Sequence, residues 1–167
     1  MLLVSFALAG CTDAPSSTSE PAATAAADRP LHPVFPDQFT AASAESETVR
    51  VADAVEALLD PSDIVHVDDH AQEVPAQEDS AAYYGVIRTI TLSPTVDPMA
   101  KAKAIEIALK ADGWIERTVA DEDGSYFAAL ASVALSAESW FILVGGDTSV
   151  AGQSVITLQL ASPGLGN

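Results

Sequence analysis

The segment 66–70 stands out in this sequence of 167 residues because its side chains are typical metal ligands. It holds His66, Asp68, Asp69 and His70, and imidazole nitrogens and carboxylate oxygens ligate zinc and calcium. On a helix, His66 and His70 would share a face as an i, i+4 pair, whereas on a strand His66, Asp68 and His70 share one. Three further carboxylates follow and would complete an oxygen-rich site: Glu73, Glu78 and Asp79.

The same residues also fit a solvated acidic loop. Residues 64–67 have the composition of a strand, but residues 68–81 are polar and acidic, and no Lys or Arg occurs between Arg50 and Arg88. A negative surface of this kind attracts a basic partner or loosely held cations, and it also keeps an exported protein in solution. The sequence favours the loop and leaves metal binding and carboxylate acid–base chemistry as alternatives.

Aromatic residues offer a second candidate, a binding platform made of Tyr83, Tyr84 and Trp140. Aromatic side chains on strands more often pack in a core than bind a ligand. Consecutive residues of a strand point to opposite faces, so one of Tyr83 and Tyr84 is expected to be exposed.

Several functional classes are disfavoured by composition and by missing motifs. A formal charge of −17 and a pI near 4.1 oppose binding to nucleic acid or to anionic lipid headgroups. The pair Gly145-Gly146 lacks the further glycine and the lysine of a phosphate loop, and no GxSxG elbow occurs. No cofactor is therefore expected.

The first eleven residues look like an export signal. Residues 1–10 are apolar and too short for a spanning helix, which needs about 17–25 residues. Leu8, Ala9, Gly10 and Cys11 resemble the lipobox of bacterial lipoproteins. The resemblance implies cleavage before Cys11, a diacylglyceryl group on its thiol, and a lipid-anchored domain on the extracytoplasmic face of the cell membrane.

A Pro, Ser, Thr and Ala-rich segment, 11–45, separates this signal from the rest of the chain and is expected to be a disordered tether. No Lys or Arg precedes Arg29, so the basic n-region of the signal is expected to lie upstream or to have been trimmed. Apolar residues near the end of the tether are expected to pack on the domain as a strap, with a polyproline-like recognition segment or disorder as alternatives. They are Leu31, Val34, Phe35 and Phe39.

Residues 46–163 are predicted to form one α+β domain, with 164–167 as a tail. Apolar spacing and capping residues predict two helices, 46–60 and 98–111, and Asp97 is expected to cap the second. Alternation and β-branched residues predict six strands: 64–67, 82–92, 114–120, 126–133, 139–145 and 154–161. The order α-β-β-α-β-β-β-β with short connections predicts an antiparallel meander with both helices on one face.

Two motifs of this domain carry a second resemblance. The run ALKADGW at 108–114 and the run QLASP at 159–163 resemble small uncharacterised lipoproteins of high-GC Gram-positive bacteria. Many of those proteins continue Ser-Pro with a cysteine, whereas Gly164 follows here, so the second cysteine and its disulfide are absent. The resemblance supports the fold and implies no particular chemistry.

The leading hypothesis is a lipoprotein with a monomeric, non-enzymatic binding or accessory domain whose ligand is unknown. Its partner would be an envelope protein or a wall polymer, and the uncovered face or an edge of the sheet would be the contact surface. One alternative is a divalent-metal-binding lipoprotein using segment 66–70. The other is a cell-envelope enzyme with paired carboxylates.

Overall fold

Two α-helices and six β-strands make up the part of the chain that the structure, a computed structural model, describes: residues 29–36, 38–76, 81–134, 138–149 and 152–165. The helices are α1 (Ala41–Glu56) and α2 (Pro98–Ala111), and a 3-10 turn covers Pro61–Asp63. The strands are β1 (Ile64–Val74), β2 (Tyr83–Leu92), β3 (Ile115–Glu122), β4 (Ser125–Ala131), β5 (Phe141–Asp147) and β6 (Val155–Ala161).

Helix α1 begins five residues before the predicted position, because Thr40 and Ser43 form a capping box there. It ends at Glu56, earlier than the predicted residue 60, and Leu58 is consequently exposed. The buried side chains recur with helical spacing: Ala44, Thr48, Val51, Ala52 and Val55.

Helix α2 forms as predicted. The carboxylate of Asp97 accepts hydrogen bonds from the Met99 and Ala100 amides, and Pro98 occupies the first turn. Gly113 ends the helix with a φ of 92°, a left-handed conformation that favours glycine. Ala102, Ile105 and Leu109 are buried on the inward side, as expected.

The six strands form one antiparallel sheet in the order β1-β2-β6-β5-β4-β3. Strands β3 to β6 are a continuous meander, and β6 then pairs with β2, which joins the first hairpin to the meander. The predicted α+β class and the antiparallel meander are confirmed.

Both helices pack on the same side of the sheet, here called the covered face. Helix α1 lies over β1, β2 and β6, and α2 lies over β4, β5 and β6. The helices bury their inward side chains against covered-face side chains of the sheet, which contributes these residues to the core: Tyr84, Val86, Ile90, Leu92, Tyr126, Ala128, Leu130, Ile142, Val144, Ile156, Leu158 and Leu160. No described element lies on the opposite side, here called the open face.

Strand β1 is longer than predicted. The sequence indicates a loop from residue 68, but the strand pairs with β2 as far as Val74. Most of its side chains are exposed, although Ile64 and Val67 pack against the core. The strand is at an edge of the sheet, where charged residues discourage pairing with other chains. An acidic segment with no apolar alternation is therefore a strand here, because its neighbour supplies the hydrogen bonds.

The last residues before α1 pack on the domain as the predicted strap. Leu31 is buried, its amide donates to Asp112 Oδ2 at 2.7 Å, and its carbonyl accepts from Trp114 Nε1 at 2.8 Å. The rings of Phe35 and Phe39 pack against Trp140. The domain therefore includes residues before 46, where the sequence indicates the boundary.

Candidate functional site

The open face contains a concavity of about 340 Å³. Small residues on three strands contribute to its lining: Gly85, its partner Ala161, and Ala129 on β4. Larger apolar side chains surround them: Val74, Tyr83, Ile87, Phe141 and Leu143. A Cβ added at Gly85 would lie 3.5 Å from Tyr83 Cε2 and 3.6 Å from Val74 Cγ2, so the missing side chain helps to form the hollow.

The surface around this concavity is apolar and accessible. Phe141 is 51% exposed and Ile87 is 46% exposed, although both belong to strands in the middle of the sheet. Contiguous exposed apolar surface on a soluble domain marks an interaction site. His70, Gln72 and Gln159 add hydrogen-bonding groups at the border.

Apart from Tyr83 and His70, the sequence did not single out these residues, although a signal for Phe141 and Leu143 was present. Residues 141–144 read Phe-Ile-Leu-Val, which places apolar side chains on both faces of β5. A strand that is apolar on both faces usually has both faces buried. Here the described residues cover only one of them.

Segment 66–70 does not bring its four candidate ligands together. His66, Asp68 and His70 lie on the open face, and His66 Nε2 is 3.4 Å from Asp68 Oδ2. Asp69 points to the covered face. No group of three or more His, Cys, Asp or Glu side chains with metal-binding geometry occurs among the described residues. Glu78 and Asp79 lie outside them.

Asp69 belongs instead to an ion-pair cluster around Arg88, whose side chain is only 7% exposed. Arg88 Nη2 lies 2.9 Å from Asp69 Oδ2 and 2.7 Å from Asp53 Oδ1, and Nη1 lies 3.0 Å from Glu56 Oε2. Burial lowers the pKa of Arg88, but the hydrogen bonds to Asp69 and Asp53 outweigh it and raise the pKa above its ordinary value. The cluster attaches α1 to β1 and β2.

The three candidate aromatics have different environments. Trp140 is buried, and its indole nitrogen donates to Thr48 Oγ1 at 3.2 Å. Tyr84 is buried on the covered face, where burial and Glu45 raise its pKa. Only Tyr83 lies on the open face, where it is half-buried beside the concavity, so the two tyrosines point to opposite faces but neither is fully exposed.

A second polar cluster lies beneath α2. Tyr126 Oη donates to Glu106 Oε2 at 2.7 Å, and Lys110 Nζ lies 3.2 Å from Glu106 Oε1. Burial opposes ionisation of Glu106, but hydrogen bonds from Tyr126 and Lys110 outweigh it and lower its pKa. None of these three residues lines the concavity. Their hydrogen bonds to one another attach α2 to β4.

The predicted lipidation site cannot be placed in this geometry. Cys11 and the motif residues Leu8, Ala9 and Gly10 lie outside the described residues. Among the helices that the structure describes, none has the length and apolar character to span a membrane.

Comparisons with known proteins give no match. No protein-family model fits the chain, and neither the curated proteins nor the solved structures include a significantly similar one.

Proposed function

We propose that this chain is a membrane-anchored extracytoplasmic lipoprotein, lipidated at Cys11, and that its α+β domain is a non-enzymatic binding module. The observation that carries the binding role is the apolar concavity on the open face of the sheet. In the part of the chain that the structure describes, helices cover only the other face, and exposed apolar surface in the middle of a sheet would be unfavourable without a partner.

A binding role also fits the use of the polar groups in the described region better than an enzymatic role does. The clusters around Arg88 and Glu106 are paired within the fold and lie on its covered face. The exposed groups of segment 66–70 are spread along a strand. The groups that border the concavity, His70, Gln72 and Gln159, suit orientation of a bound partner.

The anchor is tested by comparing the wild-type chain with Cys11→Ala in the cells that produce it. We expect the wild type to enter the detergent phase with a lipid mass on Cys11, and Cys11→Ala to remain aqueous. Ser17→Ala is the matched control in the tether and should behave as wild type. A wild-type chain without lipid on Cys11 would refute the anchor.

The binding surface is tested with a photo-crosslinking amino acid placed at Phe141 or, as a control, at Ile107. Both side chains are exposed and apolar, but Ile107 lies on α2 and is 65% exposed. In intact cells, we expect a reproducible adduct from position 141 that position 107 does not give. Equal labelling from both positions, or none from 141 at native abundance, would contradict the proposed surface.

A further inference from the structure

The positive charges of this chain are already paired elsewhere. All seven Lys and Arg residues lie in the described region, and six of them contact carboxylates on the strap, the helices or the covered face. The pairs are Arg29 with Asp112, Arg50 with Glu47, Arg88 with Asp53, Glu56 and Asp69, Lys101 with Asp63, Lys103 with Asp121, and Lys110 with Glu106 and Glu116. The seventh, Arg117, lies at a bulge of β3 and donates to the Val133 carbonyl.

The open face has no such compensation. None of its paired positions holds Lys or Arg, and the basic side chains on it are those of His66, which lies 3.4 Å from Asp68 Oδ2, and His70. Asp68, Glu122 and Asp147 lie on this face, and all three are exposed. The backbone amide of Ser149 donates to Asp147 at 2.6 Å, and its hydrogen bonds lower the pKa of this carboxyl. Carboxylates without nearby cations create a negative potential that favours cationic ligands.

The concavity and the carboxylates lie towards different ends of this face. Phe141 begins β5 beside the concavity, and Asp147 ends the same strand, with both side chains on the open face. Asp147 is six positions after Phe141 on the strand, which corresponds to about 20 Å. Asp68 and Glu122 lie towards the Asp147 end, on the two edge strands.

We propose that the open face binds a polypeptide segment with an apolar or aromatic group at one end and Lys or Arg about 20 Å away. This inference rests on the proposed binding function and adds the chemistry of the partner. The apolar end of the segment occupies the concavity, and its cations lie between Asp68 and Asp147. Desolvation of Ile87 and Phe141 supplies affinity, and the carboxylates select for charge and orientation.

Charge complementarity favours this occupant over the others. Anionic polymers and phospholipid headgroups would face Asp68, Glu122 and Asp147 with no cation to pair with. A second copy of this chain would meet the same difficulty, because no paired position on its own open face holds Lys or Arg. A segment that is apolar at one end and basic at the other complements both the concavity and the carboxylates.

The test uses the full-length chain and a random library of displayed peptides of about 10 residues, long enough to extend over 20 Å. Enriched peptides are sequenced, synthesised and titrated by fluorescence anisotropy against five chains. These are the wild type, Ile87→Asp, Phe141→Ser, Asp68→Asn/Asp147→Asn and the control Ile107→Asp. Melting curves show whether each variant folds. If Ile87→Asp does not fold, Phe141→Ser takes its place as the test of the apolar surface.

We expect enriched peptides to combine apolar residues with at least two cations. Their affinity should fall more than tenfold in Ile87→Asp or Phe141→Ser and about tenfold in Asp68→Asn/Asp147→Asn, since one exposed ion pair contributes up to about fivefold. It should be unchanged in Ile107→Asp. Raising the salt from about 50 to about 500 mM should weaken binding.

The other outcomes separate this inference from the proposed function. Neutral or acidic peptides that lose binding in Ile87→Asp would overturn the cationic partner and leave the binding face in place. If the wild type self-associates and Ile87→Asp abolishes this, the occupant is a second copy of the chain, and the cationic peptide partner is overturned as well. A library without any peptide sensitive to Ile87→Asp would count against both proposals.

Discussion

Gly145 and Gly146 are consecutive residues of β5 that face opposite sides of the sheet, and only Gly146 lies against a helix. A Cβ added at Gly146 would lie 2.7 Å from Pro98 C and 2.9 Å from Met99 Cα, which is closer than real contacts allow. A Cβ added at Gly145 would have Tyr126 O as its nearest neighbour, at an ordinary 3.6 Å. The first turn of α2 therefore packs directly on the β5 backbone.

This difference predicts opposite effects of the same substitution. Gly146→Ala should lower the free energy of unfolding by about 1–3 kcal/mol, because the backbone of α2 must move away. Gly145→Ala, the matched control on the open face, should change it by less than about 0.5 kcal/mol. Urea denaturation measures both. Equal destabilisation by the two variants would mean that α2 does not lie on the face assigned to it.

The same two glycines show what the sequence predicts and what it leaves open. The sequence Gly-Gly-Asp at 145–147 is typical of a turn, and the predicted strand ends at residue 145. In the structure these residues belong to β5 and pair with β4 and β6. Residue 146 is a glycine because the close approach of α2 leaves no space for a side chain there. From local composition alone, a glycine is predicted to end a strand. Only the contact with α2, which lies far away in the sequence, explains why a glycine occurs inside one.

The sequence determines the fold class more fully than it determines which face of the sheet the helices cover. Periodicity and capping at Asp97 predict α2, and alternation predicts β2 and β6, because these patterns are local. Apolar residues on both sides of β5 cannot tell which side the helices cover. The concavity depends on Gly85 and Ala161 becoming neighbours on β2 and β6, a pairing between distant segments.

Arg88 is expected to be the most costly of the arginines to replace. Arg88→Met removes the cation that Asp53, Glu56 and Asp69 share, but these carboxylates remain partly hydrated, at 62%, 29% and 42% exposure. We expect a loss of about 2 kcal/mol, below the 3–5 kcal/mol of a fully buried pair. Arg117→Met, which removes only a hydrogen bond to a carbonyl, should cost less than about 0.5 kcal/mol.

The hydrogen bond from Tyr126 to Glu106 predicts sensitivity to alkaline pH. Burial and the Glu106 carboxylate raise the pKa of Tyr126 above its ordinary value of 10.0. Above pH 10 the unfolded chain loses this proton while the folded chain keeps it, so this contribution to stability is complete below pH 10 and declines above it. The decline reaches at most about 1.4 kcal/mol per pH unit.

Tyr126→Phe removes that contribution. Denaturation curves between about pH 8 and pH 11.5 should show a steeper loss of stability in the wild type than in Tyr126→Phe. Near neutral pH the variant should be less stable by about 1.5–3 kcal/mol, since a hydrogen bond to a charged group is lost. Parallel pH profiles of the two proteins would show that the hydroxyl is not buried as described.

The strap is expected to depend on Glu47. Its Oε1 accepts from the Val34 amide at 2.6 Å and lies 2.7 Å from Arg50 Nη2, and that same nitrogen donates to the His32 carbonyl. Glu47→Ala should speed amide exchange of residues 29–36 about fivefold, corresponding to about 1 kcal/mol. Ser46→Ala, an exposed neighbour on α1, should leave exchange unchanged. Unchanged exchange in Glu47→Ala would mean that other contacts hold the strap alone.

Zinc and calcium titrations decide whether segment 66–70 binds metal. His66 and His70 are four residues apart on an extended strand, about 13 Å, and strand side chains stand nearly perpendicular to the sheet. Two zinc-bound nitrogens must each lie about 2 Å from the ion, so these imidazoles do not converge on one. A ligand that binds the folded chain raises its Tm. At about 100 μM metal we therefore expect the Tm of the wild type to rise no more than the Tm of His66→Ala/His70→Ala. A rise in the wild type that this variant abolishes would establish the metal-binding alternative and show that β1 changes conformation around the ion.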